Sequence, residues 1–318
     1  MAWADRLSYL SSQGDARLVA TPDQIGLSGP AAHGRGLAIA LGAVLLISFD
    51  ALMVRLADAP HWDIVFWRGW LIFLSLGAWM LVSGHRLKLP AGRRKRWLIA
   101  ASVVLLSGNT TLFVLSVTYT AVANTVVILA ASPFFAALFS RIFLHESVPL
   151  RTWVAIALAV VGVVVVFGGG LQGGSVLGDS LALLLAMTVG AQLTILRRFP
   201  AVPRLPLVAV SGAIAGAMAI PFAAPFSLSP SSYAVIGVMG ILQMPLATVL
   251  LTVATRYLPS PEVSLCLLIE TILGPIWVWW LLGEAVPSLT LAGGALILTT
   301  VAVHASLALR AERRPRPV

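Results

Sequence analysis

Ten apolar stretches follow one another along the chain, at about residues 36–57, 62–83, 97–118, 120–143, 151–168, 178–196, 206–226, 232–256, 261–282 and 288–309. Each approaches the roughly 20 residues that an α-helix needs to cross the hydrocarbon layer of a bilayer. The pattern predicts an all-α integral membrane protein with ten transmembrane helices. The polar gaps between the stretches alternate in charge. Arg86, Lys88, Arg93, Arg94, Lys95 and Arg96 fill the second gap, and Arg141 and Arg151 bracket the fourth. Arg197, Arg198 and Arg204 mark the sixth gap and Arg256 the eighth, while Arg6, Arg17, Arg35, Arg310, Arg313, Arg314 and Arg316 lie toward the two ends. The intervening gaps carry acids instead, among them Asp58, Asp63, Asp179 and Glu284. Cytoplasmic loops hold the excess of Lys and Arg, so both termini are expected on the cytoplasmic side. Arg55 and Arg68 depart from this rule by lying inside stretches.

Composition narrows the class. A hydrophobic fraction of 59%, 10% charged residues and a mean hydropathy of +0.96 exceed what a soluble domain tolerates. The net charge of +9 sits in the alternate gaps, which insertion polarity and anionic lipid explain without nucleic acid. A single cysteine, Cys266 inside the ninth stretch, allows no disulfide framework and no metal cluster. The polar segment 1–34 precedes a stretch too long for a signal-peptide core and reads as a cytoplasmic tail with room for one short helix. Abundant Ala and Gly, with Arg far outnumbering Lys, fit a GC-rich bacterial genome and hence a multi-pass protein of the bacterial inner (plasma) membrane.

The chain also repeats itself. Sliding Tyr119–Pro149 onto Tyr257–Pro287 lays Tyr on Tyr, Glu146 on Glu284, Val148 on Val286 and Pro149 on Pro287. A second match lays Gly36–Arg55 over Gly178–Arg197 and sets Asp50 opposite Gln192. Two five-helix units follow, residues 35–168 and 169–309, with the basic tail 310–318 after them. Five is odd, so the second unit enters the membrane from the opposite face, giving an inverted repeat. Inverted halves can expose a site between them to each side in turn.

Pro133 to Phe143 with Glu146 in one half, and Ile269 to Glu284 (IETILGPIWVWWLLGE) with Pro287 in the other, resemble the drug/metabolite transporter superfamily. Within it the chain is similar to EamA-type exporters, most of all the YddG-type amino-acid exporters. The resemblance spans residues 36–309 and implies export of small metabolites. Thr271 stands where the first half has Pro133, and Pro275 follows one turn later.

Polar side chains at membrane depth are costly unless they face a wet cavity or a partner, which makes them the candidate site. Asp50, Asn109, Gln192, Gln243 and Glu270 qualify, with Trp277 added because it shares a helical face with Cys266, Glu270 and Gly274. Each has a second reading. Asp50 can pair with Arg55 or Arg68, Arg68 can snorkel to the surface or serve as that partner, and the amides and Glu270 can bond neighbouring helices. Asn124, at the outer start of the fourth stretch, is a weaker candidate. Pro133, Pro245 and Pro275 are expected to interrupt their helices and free backbone carbonyls. Gly212 and Gly216 read as a helix-packing pair. The remaining Trp residues read as an interfacial belt, and Glu146 and Glu284 as caps or pairs at span ends.

These residues point to a secondary transporter that moves small metabolites outward by alternating access, amino acids, aromatic ones included, being the expected class. Exporters of another metabolite or drug class, a membrane enzyme and a receptor are the alternatives. No G-x-x-x-x-G-K-[ST] run, no G-x-S-x-G elbow and no pair of membrane aspartates occur. The expected partners are therefore the substrate and membrane lipid, without cofactor, ATPase subunit or nucleic acid, in a monomer or homodimer.

Overall fold

The computed structural model describes residues 30–83, 93–144, 150–173, 176–198, 204–254, 257 and 260–312. Among them every regular element is helical. The helices are α1 Pro30–Ser48, α2 Asp50–Leu56, α3 His61–Val82, α4 Arg93–Tyr119, α5 Val122–Leu129, α6 Ser132–Leu144 and α7 Leu150–Gly173. They continue as α8 Val176–Arg198, α9 Arg204–Ala219, α10 Pro230–Gly237, a π-helical turn Val238–Gln243, α11 Met244–Ala254, α12 Ser260–Leu282 and α13 Ser288–Glu312. Five segments are long and apolar enough to cross a membrane: Gly34–Leu56, His61–Val82, Arg96–Tyr119, Val122–Phe143 and Pro230–Leu251. Five shorter apolar helices accompany them, Trp153–Gly168, Val176–Gln192, Leu205–Ala219, Ile269–Leu282 and Ser288–Val303. The expected helix in the N-terminal tail, and Glu146, lie outside the described residues.

Apolar side chains cover the outside as well as the core. Leu81, Val82, Trp97, Phe143, Leu150 and Trp280 are all strongly exposed, the surface of a bundle whose solvent is lipid. Inside, Val65, Val114, Val117 and Met239 form one cluster with Leu52, Leu185 and Val278, while Ile128, Val166 and Ile297 anchor a second. Cys266 is buried beside Ala40, Val44 and Ala254, as a small apolar residue would be.

Helix contacts come in related sets. α3 packs on α9, α7 on α13 and α5 on α12. α4 packs on α8 as α1 packs on α11, and α5 and α6 pack on α8 as α12 packs on α1 and α2. Replacing each segment by its counterpart in the other matching half leaves this pattern unchanged.

Several crossings depend on glycine, those of α3 with α9 and of α7 with α13 among them. A Cβ on Gly69 of α3 would lie 2.5 Å from the Gly212 carbonyl oxygen and 2.5 Å from the Gly216 nitrogen on α9. The expected role of Gly212 and Gly216 in packing thus has a named counterpart. On α7 and α13, a Cβ on Gly293 would meet the Gly162 carbonyl oxygen at 2.6 Å. Only residues without a side chain let backbones approach this closely.

The interruptions differ from the expected ones. α5 and α6 break at Ala130 and Ala131, just ahead of Pro133, and the π turn runs up to Met244, just ahead of Pro245. Proline removes an i to i−4 hydrogen bond, so both breaks have a local cause. Pro275, however, lies inside the unbroken α12, and the expectation of an interruption there is corrected. A further break falls at Phe49, between α1 and α2, where the sequence Leu46-Ile47-Ser48-Phe49-Asp50 contains neither proline nor glycine.

Candidate functional site

The break at Phe49 begins with Ser48, whose hydroxyl donates to the Leu45 carbonyl at 2.7 Å and so competes with the backbone ladder. The Phe49 amide reaches the Leu46 carbonyl only at 3.4 Å, and that carbonyl accepts a second hydrogen bond, from Gln243 Nε2 at 2.9 Å. Trp277 Nε1 donates to Ser48 Oγ at 3.0 Å, and the Trp277 ring stacks on Phe49 with centroids 4.7 Å apart. Three candidates from sequence, Gln243, Trp277 and Asp50, therefore meet at five consecutive residues of the first segment. Gly274, one turn before Trp277, leaves space here: a Cβ built on it would find its nearest neighbour, the Ser48 carbonyl oxygen, at 3.8 Å.

Asp50 opens α2 and is bound through Oδ2 to Arg68 Nη2 at 2.9 Å. Arg68 does not snorkel: 5% of its surface is exposed, and its guanidinium carbon stands 5.7 Å from the centre of the Phe113 ring on α4. The structural alternative for Asp50, a pair with Arg68, is thus realised. The pair is incomplete, however. Asp50 Oδ1, Arg68 Nε and Arg68 Nη1 are all buried without a hydrogen-bond partner. Asn109, one turn before Phe113, has an equally unpartnered Oδ1, as does Gln243 at Oε1. Buried polar atoms are nearly always satisfied, so a cluster of unsatisfied ones marks a place that water or a ligand fills. Glu270, half-buried on α12, is near enough to Asp50 for the two carboxyl charges to interact.

Gln192 lies on α8, where that helix packs on α6. Ser116 of α4 donates to the Gly178 carbonyl of α8 at 3.0 Å, which sets the register of this pair. If the two helices run antiparallel from that point, a rise of 1.5 Å per residue places Gln192 roughly 10 Å deeper than Asn109. Around it, Gly190 abuts Phe135 and Thr194 donates to the Ala136 carbonyl at 3.1 Å. Both Gln192 amide atoms are buried without a partner.

Two polar clusters sit at the other end of the bundle and are largely engaged, Asp179 Oδ2 being left without a hydrogen-bond partner. Asn124 Nδ2 donates to Asp179 Oδ1 at 3.0 Å and to Thr120 Oγ1 at 3.2 Å, and Asn124 Oδ1 accepts from Thr290. Thr120 Oγ1 in turn donates to Asp179 Oδ1 at 2.6 Å. Asn124 is therefore a tie between helices. Arg55 Nε faces Glu284 Oε2 at 3.2 Å, its Nη2 donates to the Thr120 carbonyl at 2.9 Å, and Glu284 Oε1 accepts the Val122 amide at 2.9 Å. Glu284 is thus a pair at a span end, as its position implied. Sequence reading gave Arg68 as a structural partner of Asp50 rather than as part of the centre, and did not set Phe113 against it. The clue available was charge balance, since an acid and a base both stand inside apolar stretches and can neutralise each other.

Among the described residues no group of His, Cys, Asp and Glu is arranged to hold a metal ion. The model of the EamA-like transporter family matches residues 34–168 and again residues 176–305. A solved structure titled only as the crystal structure of a protein superposes with a TM-score of 0.61 at 19% identity, covering 88% of this chain and 99% of its own. That likeness concerns the fold. No curated protein matches the chain significantly.

Proposed function

The chain belongs to the EamA-like transporter family, and from that premise we propose that it exports small amphipathic metabolites, amino acids foremost, by alternating access through a cavity around Asp50, Arg68, Asn109, Gln243, Glu270 and Trp277. Membership of this family points to a multi-pass membrane transporter of small molecules. The observation that carries the finer reading is the cluster of buried, unsatisfied polar atoms fed by both matching halves: Asp50, Arg68 and Asn109 from one, Gln243 from the other. A cluster that ties helices together satisfies most of its polar atoms, as Asn124, Thr120 and Thr290 do around Asp179 Oδ1, with Asp179 Oδ2 alone left over. The contact pattern that survives exchange of the halves supports ten spans in an inverted repeat, the arrangement in which one half can rock against the other. Counterflow in proteoliposomes loaded in turn with the common amino acids tests this reading, and exchange of none of them would overturn it in favour of another metabolite or drug class.

Orientation has its own check. Single cysteines placed near Gly173 and Ser229 should react with an impermeant thiol reagent from outside, and those near Arg94 and Arg204 should not. Outside labelling at Arg94 would reverse the proposed topology.

Glu270 is the proposed proton-responsive group. Glu270→Gln keeps size and hydrogen-bonding capacity but removes the titration. Transport by this variant should fall about tenfold, the worth of one charge-assisted hydrogen bond, and lose its dependence on pH, while folding is retained. Wild-type rate and wild-type pH profile in matched liposomes would make Glu270 an interhelical tie.

A further inference from the structure

We propose that Arg68 and Asp50 form the headgroup subsite for a zwitterion, Arg68 receiving a carboxylate and Asp50 an ammonium; this rests on the transport reading above and names the class of its substrate.

The pair joins one nitrogen to one oxygen, Arg68 Nη2 to Asp50 Oδ2 at 2.9 Å, although each side chain offers more. What remains offers a partner to each end of a zwitterion. Arg68 Nε and Nη1 are donors that need acceptors, and Asp50 Oδ1 is an acceptor that needs a donor. The two side chains are 6% and 4% exposed, so bulk solvent does not serve these atoms. Charge balance selects between ligands. When Glu270 holds its proton the bound pair is neutral, and a lone cation or lone anion placed on it would leave a net charge at membrane depth, whereas a zwitterion adds none. The surroundings also fit an apolar body. Phe113 lies under the guanidinium, and Phe49, the residue preceding Asp50, is stacked on Trp277. Asn109 Oδ1, one turn from Phe113, adds a second acceptor for the ammonium.

The test compares three probes on each of two apolar frames: L-phenylalanine with phenethylamine and 3-phenylpropionate, and L-leucine with isopentylamine and 4-methylpentanoate. Binding is read by ligand-dependent thermal stabilisation of the purified full-length protein, and transport separately by counterflow. On at least one frame the zwitterion should bind about tenfold to a hundredfold more tightly than either single-charge analogue, the loss expected when one charged hydrogen-bond partner is missing. Removing only Arg68 leaves Asp50 without its counter-charge and endangers folding, so the variant is the double exchange Asp50→Asn with Arg68→Gln, which keeps shape and neutrality. It should bind all three probes of a frame within about threefold of one another, well inside that window. Equal binding of the amine or the acid by the wild-type protein on both frames, absence of any binding, or a zwitterion preference retained by the double variant would each overturn the subsite. Discrimination in binding without counterflow leaves the subsite standing and removes the transport reading. Counterflow without discrimination does the reverse.

Discussion

Replacing Arg68 by leucine should lower the stability of the folded protein by about 3–5 kcal/mol, because it strands the buried Asp50 carboxylate without its counter-charge. The Asp50 side chain is 4% exposed and receives one hydrogen bond from the guanidinium, so water cannot take over the role. Thermal unfolding of the purified protein in detergent reads the loss. Asp50→Leu combined with Arg68→Leu should recover most of it, since an apolar pair of similar volume owes no desolvation. That recovery separates a charge effect from a packing effect. A single Arg68→Leu variant as stable as wild type would place the guanidinium outside the buried pair and remove the basis of the proposed headgroup subsite.

A smaller substitution should do nearly as much damage on the same helix. Gly69→Ala adds a Cβ 2.5 Å from two backbone atoms of α9, neither of which can rotate aside, so the helices must separate. The expected cost is near the top of the roughly 1–3 kcal/mol range for overpacking, or above it. Gly77→Ala is the control, eight residues further along α3, where a Cβ would find nothing within 4 Å. There the exchange should be neutral or slightly stabilising, because alanine costs less backbone entropy than glycine in a helix. Equal behaviour of the two variants would show that the crossing yields without cost.

Much of the architecture was legible because membrane insertion imposes one-dimensional rules. Stretch length, charge in alternate gaps and the repeated Tyr-to-Pro segment lead to a helical membrane protein with two related halves, and the family model matches those halves at residues 34–168 and 176–305. Gly212 and Gly216 were recognisable by spacing, although their partner Gly69 has no glycine three or four residues away and carries no such pattern. The candidate site was legible only as a list of residue types. Asn124 and Gln192 are the same chemistry in sequence, yet one is tied to Asp179 and Thr290 and the other is buried without a partner below the centre. Such differences are set by which helices meet, and helix neighbours are not written in hydropathy. Proline misled in one place, at Pro275, because a helix packed on several sides can tolerate one missing hydrogen bond. The break at Phe49 had only Ser48 as a local mark, since the other contacts at it come from Gln243 and Trp277, about 200 residues away.

A bend written by proline is permanent, because the missing amide is missing in every conformation. The bend at Phe49 is conditional. Every residue from Leu46 to Asp50 has an amide to give and a conformation compatible with a continuous helix. Gln243 on the Leu46 carbonyl and Trp277 on Ser48 touch it from the other half. The shape of the first segment beside Asp50 is thus written partly in the sequence of the second half.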